Sequence, residues 1–208
     1  MRIAVLLPCF NEEITIAGVV AGFTRALPGA TVYVYDNNST DATATRAAAA
    51  GAIVRREPLQ GKGNVVRRMF ADIEADIYVM ADGDGTYDPG SAPEMVRMIA
   101  EDGIDMVVGA RKESGDAAAW NQRRRLGNRL LTGFVARLFG KRFTDILSGY
   151  RAFSRRFVKS FPALAPGFEI ETELTVHALE LRVPVAEIDT PYIARPEGSQ
   201  SKLRTSRD

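Results

Sequence analysis

One cysteine and one histidine occur in 208 residues, and each scarcity removes a class of chemistry. Cys9 alone forms no internal disulfide, so nothing in the chain requires an oxidising compartment. His177 alone rules out a histidine-rich zinc site, and any Ser-His-Asp triad not built on that residue. Long apolar runs are missing too. Ile3–Leu7 is too short for a signal peptide and is broken by Pro8, and no stretch approaches the roughly 20 apolar residues that span a bilayer. The expectation is a soluble, cytoplasmic chain. Gly-x-Gly-x-x-Gly is also absent after the first strand, where Pro8-Cys9-Phe10-Asn11-Glu12-Glu13 stands instead. That absence counts against a dinucleotide-binding Rossmann domain.

What is present fits one globular domain, 1–208, with a sizeable core. The net charge of +1 is uninformative, but its distribution is not. From Arg111 to Arg142 there are nine Lys/Arg against two Asp/Glu, a local +7 offset by the acidic first half. That half alternates strand and helix patterns. Ile3–Leu7 reads as a strand buried on both faces, Ile14–Leu27 as a helix, and Thr31–Tyr35 as a strand ending on Asp36. Ser39-Thr40-Asp41 offers N-caps for an Ala-rich helix ending near Gly51. Ala52–Arg55 is a short strand, Asn64–Ile73 a helix, and Ile77–Ala81 a strand running into Asp82. Pro93 opens another helix, and Met106–Gly109 reads as a fifth strand. The alternation predicts an α/β, three-layer α/β/α sandwich with a mostly parallel central sheet. The second half is less regular. It holds a basic helix near Arg123–Phe139, a strand-like Gly149–Phe153, a helix near Glu169–Leu181 and a strand near Val185–Tyr192. No internal repeat or linker divides the chain.

Ligands of parallel sheets bind beyond the carboxyl ends of the strands, and Asp82-Gly83-Asp84 falls there. Two carboxylates at i and i+2 bind a hard divalent cation, magnesium or manganese, which keeps the rest of its shell for water and substrate phosphate. The bland alternative is an Asp/Gly turn without a ligand. Asp88, beside Pro89, reads as a turn residue or helix cap. Asp36, at the end of the second strand, can accept from ribose hydroxyls or simply hold a turn. Gln60-Gly61-Lys62-Gly63 sets a flexible cation at a helix start, suited to a phosphate or base. It is not a Walker loop.

The order of these segments resembles the family 2 glycosyltransferases with the GT-A fold. Pro8–Glu13, Tyr35–Asp41, Gly61–Gly63 and Ala81–Asp84 match its successive motifs. Ser148-Gly149-Tyr150-Arg151-Ala152-Phe153, Phe168–Leu174, and Arg195 with Gly198–Leu203 extend the likeness over nearly the whole chain. The branch it resembles contains the dolichyl- and polyprenyl-phosphate mannosyl- and glucosyltransferases. The resemblance implies that residues 1–110 hold the nucleotide-sugar and 111–208 the acceptor. It implies a nucleoside pocket of Pro8, Phe10, Glu12 and Asp36, with Lys62 and Asp82 completing the nucleotide contacts. Asp82 and Asp84 become the metal–diphosphate site. Lipid-phosphate relatives often carry Gln two residues after the second Asp; here that position is Thr86, so the resemblance does not extend to a third metal contact.

At the acceptor end, Leu126, Leu130, Leu131, Phe134, Val135, Leu138 and Phe139 mark one helix face, with Arg125, Arg129, Arg137 and Lys141 on another. Such a helix is either a core helix with a solvated basic side or one that lies on an anionic membrane surface and meets a phosphate. Arg123-Arg124-Arg125 precedes it, and the resemblance places this polar segment at the acceptor phosphate. Nucleic acid is not expected, because no aromatic stacking stripe accompanies the charge. Glu169, Glu173 and His177 form a helical row that reads as a solvated face, with His177 a packing or surface residue. Glu169 or Glu171, and Asp145, are the candidates for touching an acceptor. Trp120 is suited to stacking on a sugar, touching lipid or capping the core. The family's mobile strip near the donor corresponds to the Ser/Lys/Arg segment ending the chain, which implies that Lys202 and Arg204 close over the diphosphate.

The expected activity is inverting transfer of a hexose from a GDP-mannose- or UDP-glucose-type donor to a polyprenyl or dolichyl phosphate, at the cytoplasmic face of a membrane. Asp84, Asp145, Arg124 and Arg125 are the catalytic candidates; Arg123, Arg129, Glu169, Glu171 and Lys202 are the acceptor-binding ones. A phosphate acceptor, with a second pKa near 6, needs positioning more than a base. A saccharide hydroxyl, the alternative acceptor in cell-envelope polysaccharide synthesis, needs a base such as Asp145 or Glu169. A non-catalytic nucleotide-sugar binding module is the remaining reading. Some relatives continue into membrane helices where this chain ends, so a short, peripherally anchored form and a truncated one are both open.

Overall fold

A computed structural model describes residues 1–113, 132, 133, 137, 143–196 and 198. The strands are β1 (Ile3–Cys9), β2 (Thr31–Asp36), β3 (Ile53–Arg56), β4 (Ile77–Met80), β5 (Met106–Glu113), β6 (Arg151–Ser154) and β7 (Val185–Tyr192). The helices are α1 (Ile16–Ala26), α2 (Thr43–Ala49), α3 (Lys62–Asp72), α4 (Ala92–Ala100), α5 (Arg155–Ser160) and α6 (Ile170–Glu180). One sheet joins the strands in the order β3-β2-β1-β4-β6-β5-β7. Val20 and Phe23 of α1, Ala47 of α2 and Met95 of α4 pack on one face of the sheet. Val65 and Phe70 of α3, Phe157 of α5 and Leu174 of α6 pack on the other. The result is the expected three-layer α/β/α sandwich.

The apolar runs became the central strands because a parallel strand flanked by helices has no wet face. All four residues of β4 are buried, as are the last six of β1. Pro8 is tolerated in β1 because pairing with β4 ends at Leu6↔Met80, so its missing N–H falls past that ladder. On α1, Ile16, Val19, Val20 and Phe23 recur at helical spacing and are buried together.

Several boundaries differ from expectation. β3 starts at Ile53, and β5 continues past Gly109 to Glu113 because β7 pairs with it along its whole length. The strand expected from Gly149 starts at Arg151, and the short α5 follows it unannounced. Its Ser154 N-cap accepts from the Phe157 N–H at 3.1 Å. β6 is the antiparallel member, paired with β4 and β5. Its direction shapes the ligand edge of the sheet. The entrance of β6 lies beside the exits of β4 and β5, so residues 145–150 arrive where Asp82 and Arg111 emerge. The basic helix near Arg123–Phe139 lies outside the described residues except for Thr132, Gly133 and Arg137, which are helical. No helix among the described residues is long and apolar enough to cross a membrane.

Candidate active site

β1 lies between β2 and β4, so the chain crosses to opposite sides of β1 on leaving it and on returning. The crevice at such a reversal, beyond the carboxyl ends, is where open α/β sheets bind ligands. Cys9, Asp36 and Asp82 all stand at this edge, with Cys9 opposite Asp36 in the β1–β2 register.

One wall of the crevice is knitted by side chains that bond to backbone. Asn11, in the left-handed region at φ 54°, takes the Thr40 N–H on its Oδ1 at 2.8 Å. Its own N–H reaches the Ser39 hydroxyl at 2.9 Å. The Glu12 N–H donates to the Thr43 hydroxyl at 2.8 Å. Asn37 is the hub. Its amide donates to the carbonyls of Glu57 and Leu59, each at 2.8 Å, and its oxygen accepts the Gly61 N–H at 2.8 Å. These ties set Pro8, Phe10, Glu12 and Asp36 around one mouth; Pro8 is buried, Phe10 half-buried, and the two carboxylates nearly buried. Asp36 Oδ1 accepts the Ser39 N–H at 3.3 Å. From the sequence Asn37 looks only like a turn residue, because its partners lie about twenty residues on.

The acidic turn sits opposite. Thr15 Oγ1 donates to the Gly83 carbonyl at 2.7 Å, pinning the turn to the start of α1. A Cβ on Gly83 would lie 2.4 Å from the Cys9 sulfur, so only glycine lets the turn approach β1 this closely. The Cys9 thiol is pushed far up by burial and then by the carboxylates of Glu12, Asp82, Asp36 and Asp84. It stays a neutral packing group. Asp84 is buried, and its Oδ1 accepts the Thr86 N–H at 3.0 Å and hydroxyl at 2.6 Å. Thr86 therefore orients Asp84. Asp84 Oδ2 meets the guanidinium of Arg195, which also lies 3.7 Å from Glu12 Oε1. The segment after β7 is led there by the Ile193 N–H on the Thr86 carbonyl at 2.9 Å.

Asp82 is paired with Lys62, whose Nζ also lies 2.6 Å from Glu171 Oε1. Burial would depress the Lys62 pKa, but the Asp82 and Glu171 carboxylates more than reverse this and raise it. The expectation of a flexible cation is corrected, because Lys62 is a fixed and buried one. The helix start beside it is not an open phosphate cradle either. The Gly63 and Asn64 N–H groups already donate to the carbonyls of Gly167 and Pro166, at 3.1 and 3.2 Å. A Cβ at Gly61 or Gly63 would lie 2.2 Å from the Pro166 oxygen or 1.9 Å from that of Ala165. Those glycines admit a neighbouring loop, not a ligand. Gly149 leaves space above the ion pair, since a Cβ there would be 2.9 Å from both Asp82 Oδ2 and Lys62 Nζ.

On the acceptor side two expectations change. Both oxygens of Asp145 are taken by the Arg111 guanidinium, at 2.6 and 2.8 Å, and the carboxylate is buried. A general base needs a lone pair directed at its substrate, and this geometry makes Asp145 a clamp on Arg111 instead. Glu171 is 3% exposed. One of its oxygens holds Lys62, and the other has no hydrogen-bond partner among the described residues. It is a buried partner of Lys62, with almost no exposed surface to offer an acceptor. Glu169 sits exposed at the head of α6 and accepts the Gly167 N–H at 3.1 Å. Glu173 accepts the Leu164 and Ala165 N–H groups, each at 2.8 Å. His177 packs edge-on against Phe157 and Phe161. Asp88 caps the short turn at Pro89–Ser91 by accepting the Gly90 N–H.

Arg151 is the residue that sequence reasoning passes over. It is fully buried, and its guanidinium donates to the carbonyls of Ser148, Ile146 and Glu171 at 2.9, 2.6 and 3.0 Å and to the Thr175 hydroxyl at 2.9 Å. Burial lowers its pKa to about 10, against the pull of Glu171 and Asp145. It fastens the 145–149 loop to α6 beneath the site. The available signal is an arginine flanked by Tyr150, Ala152 and Phe153 in a strand, where a charge has no apolar excuse. Trp120, Arg123, Arg124, Arg125, Arg129, Lys141, Lys202 and Arg204, with the apolar row Leu126–Phe139, lie outside the described residues.

Among the described residues no group of three or more His, Cys, Asp or Glu could hold a metal ion. Asp82 and Asp84 offer two hard carboxylates, and Asp82 Oδ2 borders the space left by Gly149. That set fits magnesium or manganese if a substrate phosphate and water complete the shell.

Residues 4–161 match the family model for glycosyl transferase family 2. Among curated relatives, the glycosyltransferase AglJ of Haloferax volcanii is 38% identical over 207 residues, 99% of this chain and 68% of that protein. The dolichol-phosphate mannosyltransferase of Pyrococcus furiosus is 25% identical over 98% of this chain and 60% of its own length. Among solved structures, the glucosyl-3-phosphoglycerate synthase of Mycobacterium tuberculosis in complex with Mg2+ and uridine diphosphate superposes with a TM-score of 0.77. It is 28% identical and covers 94% of this chain and 72% of that one.

Proposed function

The chain belongs to glycosyl transferase family 2, and we propose that it moves a hexose from a nucleoside diphosphate sugar to a polyprenyl phosphate at the cytoplasmic face of a membrane. The observation that carries the donor side is the acidic turn. Asp82 and Asp84 stand beyond the carboxyl ends of β1 and β4, facing the mouth that holds Glu12 and Asp36. A divalent cation, magnesium or manganese, held by these two carboxylates supplies the positive charge that a departing diphosphate requires. Asp36 and Glu12 accept from the nucleoside, Pro8 and Phe10 flank it, and Lys62 fixes the orientation of Asp82.

The acceptor side supports an anionic nucleophile. Asp145 is clamped by Arg111, so the geometry there orients a cation and offers no base. A phosphate acceptor brings its own charge and needs cations, and Arg111 leads directly into the sequence that carries Arg123, Arg124, Arg125 and Arg129. The kinship with a dolichol-phosphate mannosyltransferase points the same way. Glu169 gives a second reading some weight. Exposed at the head of α6, with its Oε1 on one backbone N–H, it is the carboxylate from which a saccharide-hydroxyl transferase would draw its base. A non-catalytic binding module has less support, because both carboxylates of the turn are intact.

Thermal melting with UDP-glucose and GDP-mannose, each with and without manganese, tests the donor side, since a ligand bound only to the fold raises its stability. A rise that requires metal is expected for one donor. Asp82→Asn should lower turnover with that donor by about 10²- to 10³-fold, the usual loss for one electrostatic group at a transition state. Undiminished turnover in Asp82→Asn would sink the metal–diphosphate reading. Transfer to a saccharide with none to polyprenyl phosphate would move the assignment to the second acceptor.

A further inference from the structure

The two cations on the acidic turn are held in different ways. Lys62 is 8% exposed at its side chain, rises from the first turn of α3 and is anchored from behind by Glu171. Arg195 comes from a segment beyond the last strand, and its side chain is 26% exposed. It spans Asp84 and Glu12, two carboxylates on opposite walls of the crevice.

Both oxygens of Asp84 already hold donors in this arrangement. Oδ1 takes the N–H and hydroxyl of Thr86, donors in its own buried turn two residues away. Oδ2 takes the Arg195 guanidinium. A hard cation on the remaining lone pair of Oδ2 would lie against the guanidinium charge, so direct binding to Asp84 favours displacing one of these donors. Removing Thr86 would dismantle the turn, whereas removing Arg195 needs only the movement of a long side chain. We propose that Arg195 is the resident counter-ion of Asp84, a guanidinium in the place of the divalent cation, which makes metal binding conditional on a nucleoside diphosphate. This rests on the metal–diphosphate reading above and adds to it an order of events. Metal alone sets a new positive charge against Arg195 and gives the guanidinium no anion to move onto. Metal arriving with a diphosphate gives the guanidinium an anion to move onto, and planar guanidinium pairs bidentately with phosphate. Lys62 cannot play this part, because Glu171 keeps it in place whatever binds Asp82. No bond is made or broken in the exchange; only ionic partners change.

Manganese titration of the full chain, followed by the electron paramagnetic resonance signal of the free ion, reads this without turnover. In the absence of nucleotide, Arg195→Gln should bind manganese at least about tenfold more tightly than wild type, on the scale of one charge-assisted hydrogen bond. Arg195→Lys, which keeps a cation there, should stay close to wild type. Addition of UDP or GDP should tighten manganese binding in wild type by a larger factor than in Arg195→Gln, because only wild type has a displaced guanidinium to accommodate. Equal or weaker nucleotide-free affinity in Arg195→Gln overturns the proposal. Asp84→Asn separates that failure from failure of the site itself. If Asp84→Asn weakens manganese binding and Arg195→Gln does not change it, the counter-ion role alone is wrong. If Asp84→Asn leaves manganese affinity intact even with UDP or GDP present, the metal assignment falls and the counter-ion role falls with it.

Discussion

The two walls of the crevice are tied by different interactions. The wall made of residues 8–13, 36–43 and 57–61 is stitched mostly by neutral amides and hydroxyls bonding to backbone, with Asn11, Asn37, Ser39 and Thr43 as the stitches. The wall made of residues 82–86, 145–151, Glu171 and Arg195 is tied by charge, through Lys62–Asp82, Lys62–Glu171, Arg195–Asp84 and Arg111–Asp145. Neutral hydrogen bonds fix a shape and respond little to salt or to arriving ions. Ion pairs can exchange partners when a stronger charge appears. The assignment of walls follows the chemistry each would meet, an uncharged nucleoside on one side and a diphosphate with metal on the other. If the comparison is right, the two walls should fail in different ways when they are cut.

The largest expected effect is on the charged wall. Arg151→Met removes a buried guanidinium that serves four oxygen acceptors, leaving the carbonyls of Ile146, Ser148 and Glu171 without this donor and the Glu171 carboxylate with Lys62 as its remaining buried cation. Each buried carbonyl left without a donor costs about 1–3 kcal/mol, so losing three of them should cost about 3–5 kcal/mol or more. For a chain of this size that corresponds to a fall in melting temperature of roughly 10 °C or more. Thermal unfolding measures it. A fall no larger than that of the next variant would erase the claimed difference between the walls.

On the neutral wall, Asn37→Ala removes four hydrogen bonds at one position and leaves the Gly61 N–H, the Gln60 side-chain amide and the Glu57 and Leu59 carbonyls to find water. Because these loops are partly exposed, the expected loss is about 1–3 kcal/mol in urea unfolding. Affinity for the nucleoside diphosphate should fall as well, since the mouth is no longer held open at one width. Added salt should leave the stability loss nearly unchanged, because screening acts on charges and this cut removes none. A loss that shrinks at high salt would show that the wall depends on charge after all.

How much of this was legible in the sequence divides along the same line. The buried strands of the first half announced themselves as apolar runs, and Asp82 and Asp84 drew notice because they end one. Helical spacing similarly exposed the core face of α1. What stayed hidden was set by partners distant in the chain. The direction of β6, a four-residue strand, is fixed by where it packs and not by its composition. Nothing near Lys62 announces Glu171, and nothing near Gly61 and Gly63 announces that the loop at 165–167 occupies the space above them. Asp145 read as a base because its clamp, Arg111, reaches it only after β5 and β6 pair. Local chemistry marked where the site would be, and tertiary pairing decided which groups in it are available.

The smallest expected effect probes an ionised group within the mostly neutral wall. Asp41 accepts the Thr43 N–H at 2.9 Å on one oxygen and the Glu13 N–H at 3.2 Å on the other, joining the start of α2 to the loop after β1. Burial raises its pKa, but the hydrogen bonds from Thr43 and Glu13 outweigh this and hold the carboxyl below the ordinary aspartate value. A depressed folded-state pKa contributes stability that is present above the unfolded value, near 3.9, and is lost as pH falls through the folded one. Asp41→Asn keeps the shape but turns one acceptor into a donor facing another donor, at a cost of about 1 kcal/mol, the scale of one hydrogen bond. Urea midpoints at neutral pH should differ by that amount. The gap should narrow below about pH 4, as the wild-type carboxyl protonates and itself surrenders an acceptor. A gap that stays constant down to pH 3 would mean that Asp41 acts through shape alone, and the wall facing the nucleoside would then be neutral in effect throughout.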